Sequence, residues 1–190
     1  MRSQIFLGLP PRVGPRTTVL ILGSFPGTRS LELERYYGHP QNRFWPAMHA
    51  ALGVDPAAPY EARVTALNRA GIGLWDVLSA CERHGSLDQS IVRGTEVPSD
   101  LGALVEANPS LRAILLNGKS VAALFDRHQV PRAYWDDLGV TIDVLPSTSP
   151  ANAGVRRADV LAAWAQAIAR HSPAAGRRAA PRAVRRSTVR

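Results

Sequence analysis

Apolar residues along the chain fall into two patterns. The first is short unbroken runs, at residues 17–23 (TTVLILG), 72–77, 112–117 (RAILLN) and 140–145 (VTIDVL). All four are rich in valine, isoleucine and leucine and read as strands, and the continuous run 17–23 predicts one covered on both faces. The second pattern repeats every three or four positions. Residues 43–52 and 60–70 read as helices, the latter with Val64 and Leu67 on one face. Another opens at Ser99, with Asp100 in its first turn, and ends near Asn108 and Pro109. Residues 119–128 would bury Val121, Leu124 and Phe125, and residues 156–171 would bury Val160, Leu161, Trp164 and Ile168. Strands separated by helices predict an α/β fold with a mostly parallel sheet. No internal repeat and no second core is apparent.

Open parallel sheets bind ligands beyond the carboxyl ends of their strands. The segments in that position are Gly23-Ser24-Phe25-Pro26-Gly27, Asn117-Gly118-Lys119-Ser120, and Pro146-Ser147-Thr148-Ser149-Pro150-Ala151-Asn152. Small residues and hydroxyls let a backbone approach a ligand or phosphate closely. Plain turn chemistry gives the same composition, but three such loops on one sheet edge favour a site. The Gly118-Lys119-Ser120 triplet is not a P-loop, because the position that should hold the earlier glycine is Ala113, inside a strand.

The densest chemistry lies in residues 36–45 (YYGHPQNRFW), where four aromatics accompany His39, Gln41, Asn42 and Arg43. A core segment has no use for so many polar groups. Aromatics mixed with hydrogen-bonding side chains suit a pocket that stacks a planar base and reads its edge. Phe44 and Trp45 are expected to anchor the following helix in the core. Taken alone, His39 reads more often as a structural or capping residue.

Composition narrows the classes. The 190 residues are 45% hydrophobic and 20% charged, with a net charge of +8. No apolar run approaches the ~20 residues a membrane helix needs. A lone cysteine, Cys81, excludes an intramolecular disulfide framework, a cysteine-rich zinc site and a four-cysteine iron–sulfur cluster. The amino terminus lacks the apolar core of a signal peptide, so a cytoplasmic protein is expected. Six arginines and no acid follow His171, so residues 1–171 carry only two of the eight net positive charges. We therefore divide the chain into a folded domain at 1–171 and a basic, disordered tail at 172–190. The tail reads either as a phosphate-binding extension or as a solvated one.

Taken together, the segments LILGSFPGTRS (20–30), YYGHPQNRFW (36–45), GIGLWDVLSACERHGSLDQSI (71–91), LLNGKS (115–120) and LPSTSPANA (145–153) resemble the uracil-DNA glycosylase superfamily. The likeness is greatest to its hypoxanthine-DNA (deoxyinosine) glycosylase branch, and extends to the mismatch-specific uracil glycosylases. It spans nearly all of residues 16–171. It implies a central, mainly parallel four-stranded sheet flanked by helices in a three-layer sandwich, over residues 1–171. It also implies removal of a deaminated base, hypoxanthine or uracil, from DNA, as the opening step of base excision repair.

The resemblance also implies roles for particular residues. The loop after the first strand usually carries an Asp or Asn that positions water, and here that residue is Phe25. In the deoxyinosine branch the asparagine of the HPxN segment matters, which is Asn42 here. Tyr37 matches the aromatic that stacks on the flipped base. Asn117 lies where relatives contact the base edge. Ser147 replaces a histidine that stabilises the departing base, and Ala151 takes the place of the intercalating wedge, a task that Asn152 could share. Gly23, Ser24, Ser147, Thr148 and Ser149 are expected to hold phosphates. His39 and Asn117 are candidate donors to the leaving base, and Asn42 is expected to aim the attacking water, since an amide is a poor base. The catalytic set is thus Asn42, Ser147 and His39. The substrate-binding set is Gly23, Ser24, Phe25, Tyr37, Asn117, Ser149, Ala151 and Asn152. No metal or cofactor is expected. Lys119 is read as a phosphate contact or a solvated helix start, not as a Schiff-base nucleophile.

Asp76 is a reserve carboxylate, read first as a cap of the next helix, and Asp88 is read as ordering a loop near the pocket. The expected partner is DNA containing a deaminated base, handled by a monomer away from membranes. If the site is real, Tyr37, Asn42, Asn117 and Ser147 should gather around a shared cavity. Two alternatives stay open, a non-catalytic nucleic-acid binding module of this fold and a hydrolase of free nucleosides or nucleotides.

Overall fold

A computed structural model describes residues 4–172. Seven strands occur among them. They are β1 (Ile5–Leu7), β2 (Val19–Gly23), β3 (Ile72–Asp76), β4 (Leu78–Glu82), β5 (Val97–Pro98), β6 (Ala113–Asn117) and β7 (Thr141–Leu145). The helices are α1 (Thr28–Leu33), α2 (Phe44–Leu52), α3 (Tyr60–Arg69), α4 (Leu101–Ala107), α5 (Lys119–His128), α6 (Arg132–Asp137) and α7 (Arg157–His171).

The four apolar runs form one parallel sheet in the order β3-β2-β6-β7. Every residue of β2 and β6 is buried, as their unbroken apolar sequences require of central strands. β7 lies at the edge and is partly exposed. Side chains alternate across the sheet, so each run feeds two cores. Val19, Ile21, Ile72 and Leu74 pack on one face against α2, α3 and α7, with Phe44, Leu67 and Trp164 fully buried. Leu20, Leu22, Ile114 and Leu116 pack on the other, with Val121, Phe125 and Trp135. The two clusters are separated by the sheet, as the expected three-layer sandwich requires.

Several local expectations are corrected. A second sheet, antiparallel and ordered β1-β4-β5, runs beside the first. No helix follows β3, because Val77 alone separates it from β4, so Asp76 cannot be a helix cap. Asp100 does not lie within the first turn of α4 but caps it, accepting a 2.9 Å hydrogen bond from the Ala103 N–H. Ser172, assigned to the tail by composition, is buried and donates to the Ala70 carbonyl at 2.8 Å. Residues 173–190, and with them the expected disordered tail, lie outside the described residues.

Candidate active site

The register of the sheet places Gly23 beside Asp76 and Asn117 beside Leu145 at its carboxyl edge. Three connections converge there. The residue 36–45 segment is fixed by its own backbone chemistry. Asn42 accepts from the N–H of Phe44, the first residue of α2, at 2.9 Å, while the Asn42 N–H donates to the His39 carbonyl. Arg43 ties the segment to the last loop. Its N–H donates to the Thr148 carbonyl at 2.9 Å, and its guanidinium reaches the Val155 carbonyl at 2.9 Å and the Asn152 carbonyl at 3.4 Å. Tyr37 adopts a left-handed backbone, with φ of 55°. Its ring stacks on Phe44, centroids 3.7 Å apart and planes 16° apart.

Asn117 and Thr148 clamp the last loop to the sheet. The Asn117 amide donates to the Thr148 hydroxyl at 2.9 Å and accepts from the Thr148 N–H at 2.8 Å. Both residues are buried. Beside them Gly118 has φ of 114°, and a Cβ built there would stand 2.8 Å from Cβ of Ser147. That glycine serves close approach of the turn to the loop. The loop then fastens itself, as the Ser147 hydroxyl accepts from the Ser149 N–H at 3.2 Å and the Ser149 hydroxyl from the Ala151 N–H at 3.3 Å. A hydroxyl used as an acceptor keeps its own proton to donate. The Asn152 amide donates to the Ser147 carbonyl at 2.9 Å. Ala151 stands exposed at the tip.

Under these loops lies a cluster that the sequence reading did not assemble. Asp76 is 4% exposed, and its Oδ2 has no hydrogen-bond partner. A Cβ added to Gly23 would collide with the other carboxyl oxygen and fall 3.9 Å from the Tyr37 hydroxyl. That hydroxyl is also buried and unpartnered. Burial, reinforced by Asp88 and opposed by Arg83, pushes the Asp76 carboxyl up to about 8, so at neutral pH it is chiefly the protonated acid. Burial raises the Tyr37 phenol, Asp76 raises it further, and the Asn117 amide acts in the opposite direction. The Asp76 carboxyl thus fills the place of the side chain that Gly23 lacks, and the Tyr37 hydroxyl lies beside it.

A charged group backs the first loop. Arg83 is 5% exposed, donates to the Pro26 carbonyl at 2.7 Å and lies 5.0 Å from the Phe25 ring centroid. Its Nε and Nη1 are buried without partners. Asp88 receives a short hydrogen bond from the Ser24 hydroxyl. Burial raises the Asp88 carboxyl, while Ser24 and Arg83 hold it down. Phe25 is itself buried in the second core cluster, so this position can meet a ligand only through its backbone.

The predicted residues therefore separate. Gly23, Asn117 and Ser147 belong to the sheet edge, and Tyr37 joins them through its hydroxyl. His39 is exposed, and its Nδ1 accepts from the Gln41 N–H at 3.2 Å. A cleft of about 260 Å³ is lined by Tyr37, His39 and Asn42, but not by Asn117 or Ser147, so it is not the cavity expected to be shared by all four. Asp76 and Arg83 were visible in the sequence only as an acid after a strand and an arginine in a loop. No spacing rule announces that either is buried. Among the described residues no helix is long and apolar enough to cross a membrane, and no group of three or more His, Cys, Asp or Glu could hold a metal ion.

Comparison with known proteins follows the same outline. Residues 10–169 match the family profile of the uracil DNA glycosylase superfamily. Two hypoxanthine DNA glycosylases, from Methanosarcina barkeri and Methanosarcina acetivorans, are each 37% identical over 146 residues, covering 76% of this chain and 87% of theirs. A solution NMR structure from Methanosarcina acetivorans, described as a candidate uracil DNA glycosylase, superposes with a TM-score of 0.69 at 32% identity. That match covers 86% of this chain and 98% of the other.

Proposed function

The chain belongs to the uracil DNA glycosylase superfamily, and from that premise we propose how its residues divide the work. It is a DNA glycosylase that excises a deaminated base from DNA and so begins base excision repair. Hypoxanthine is the base proposed, by similarity to the two relatives. The observation that carries the assignment is the pair of buried, unpartnered polar groups, the Tyr37 hydroxyl and the Asp76 carboxyl, at the head of the sheet.

The target base leaves the duplex at a cost of a few kcal/mol. Tyr37 offers it a stacking face, and its edge is turned toward the head of the sheet, where the Asp76 carboxyl and the Tyr37 hydroxyl lie. Breaking the N-glycosidic bond moves electrons onto the base and leaves positive charge on the sugar. The protonated Asp76 carboxyl and the Tyr37 hydroxyl donate to the base as that charge grows, in a buried place where such bonds are strong. Asn42 holds water near the anomeric carbon through its amide nitrogen, which the bond to the Phe44 N–H leaves free to donate. The water adds to the sugar and gives up a proton, and the base leaves protonated. Ser147 and Ser149 present hydroxyls to the phosphates beside the extruded nucleotide. Strand scission is not part of this reaction, because no lysine is assigned as a nucleophile. One chain supplies every group, which supports a monomer, and the DNA substrate supports action in the cytoplasm of a cell without a nucleus.

The test is cleavage of fluorescent oligonucleotides carrying hypoxanthine or uracil, with alkali to reveal abasic sites. Wild-type protein is expected to release hypoxanthine. Asp76→Ala is expected to lose at least ~10²-fold in single-turnover rate while still binding DNA. Binding without release of either base would favour the non-catalytic module. Release from free inosine with indifference to DNA would favour the nucleoside hydrolase.

A further inference from the structure

Away from the sheet edge, three guanidinium groups surround one ring. The central carbons of Arg12, Arg35 and Arg63 lie 5.8, 5.7 and 5.7 Å from the centroid of Tyr60, and Arg63 lies 4.3 Å from that of Trp45. Arg12 is paired with Glu61. Among the described residues Arg35 and Arg63 have no carboxylate within ion-pair distance. Arg63 also has a buried Nε without a hydrogen-bond partner. Burial and the nearby Arg35 both weaken its hold on its proton, with Tyr60 and the more distant Asp55 offsetting part of this. Such an arrangement sets like charges together and leaves a donor unsatisfied, and a bound anion relieves both.

Arg35 and Arg63 border the cleft of about 260 Å³ described above. Trp45 and Tyr60 give it aromatic walls, and no acidic residue lines it. It shares Tyr37 and Asn42 with the proposed site, so the two adjoin.

We propose that this cleft binds a backbone phosphate of the DNA strand that carries the extruded nucleotide. Arg35 and Arg63 hold the phosphate, and Trp45 and Tyr60 face the adjoining deoxyribose. A guanidinium fork matches a phosphate in shape as well as charge. The inference rests on the DNA glycosylase reading. A contact of this kind fixes the path of the strand without reading its sequence.

The experiment uses full-length Arg35→Gln and Arg63→Gln proteins, with Arg132→Gln as control, since Arg132 pairs with Asp126 and does not line the cleft. Binding to a hypoxanthine-containing duplex is measured across a salt series. The same duplex is then prepared with single phosphates replaced by neutral methylphosphonates. Each cleft variant is expected to weaken binding roughly tenfold and to flatten the slope of log K against log salt by about 1, for damaged and undamaged duplexes alike. The control should change neither to that extent. One methylphosphonate position should weaken wild-type binding but leave Arg35→Gln unaffected. Arg35 is exposed, so its replacement tests the idea even if Arg63→Gln unfolds. Wild-type affinity and slope in Arg35→Gln, in a protein that cleaves hypoxanthine DNA, would overturn the cleft and leave the enzyme assignment standing. Weakened binding in a protein that cleaves no base would do the reverse.

Discussion

At the scale of single residues, Gly23 is required by what its neighbour does. Asp76 lies opposite it across β2 and β3, and one carboxyl oxygen occupies the place of the side chain that Gly23 lacks. Gly23→Ala is expected to cost about 1–3 kcal/mol in chemical unfolding, as overpacking does. Combining it with Asp76→Ala should recover part of that loss. Equal loss in the single and double variants would show that the contact is not the cause. Asn42 has two duties, to fasten the turn before α2 through the Phe44 N–H and to hold water, and substitution can part them. Asn42→Ser keeps an accepting oxygen, so its stability should stay near wild type. Asn42→Ala should lose about 1 kcal/mol, the worth of one hydrogen bond. Both should lose cleavage by at least ~10²-fold. If Asn42→Ser cleaves normally, the turn is the only role of Asn42. The polar cluster around Asn42 was legible because His, Gln, Asn and Arg stand out among aromatics. Asp76 was legible only as a carboxylate after a strand, because its depth depends on a glycine and a tyrosine far away in sequence.

At the scale of elements, the apolar runs made the four strands of the parallel sheet legible, since only covered strands can be apolar on both faces, but not their order. The second sheet escaped notice because its strands are short, and β4 continues the apolar run of β3 across a single residue. α6 spans only Arg132–Asp137, too few residues to show a helical period. What no pattern reveals is how elements are tied together. Asn117 at the end of β6 holds the last loop through Thr148, and Arg43 at the start of α2 holds the same loop from the other side. Thr148→Val keeps shape but removes the hydroxyl that receives the Asn117 amide. Leaving that buried donor unpaired should cost about 1–3 kcal/mol. Amide exchange in residues 147–152 should also quicken, read by hydrogen exchange. Unchanged stability together with unchanged exchange would show that the clamp does not hold the loop.

At the scale of the whole molecule, burial of Asp76 ties folding to pH. Its carboxyl titrates at about 8 in the folded protein against an ordinary value of 3.8. Between those values the folded chain holds a proton that the unfolded chain has released, so the contribution of Asp76 is complete below about pH 4. It declines as pH rises to about 8, by at most about 1.4 kcal/mol per unit. Asp88, raised as well by burial, bends the curve in the same direction, so the informative quantity is the difference from Asp76→Asn. The amide cannot ionise, and it still offers a donor to the site. Wild type should therefore lose stability relative to Asp76→Asn as the pH of urea unfolding is raised from 4 to 8. Cleavage by wild type should fall above about pH 8, as the carboxyl becomes an anion that repels the departing base, whereas any residual cleavage by Asp76→Asn should stay flat there. Parallel stability curves would mean that Asp76 titrates at an ordinary value despite its burial. A shared decline in cleavage above pH 8 would assign the limb to another group and remove Asp76 from the chemistry.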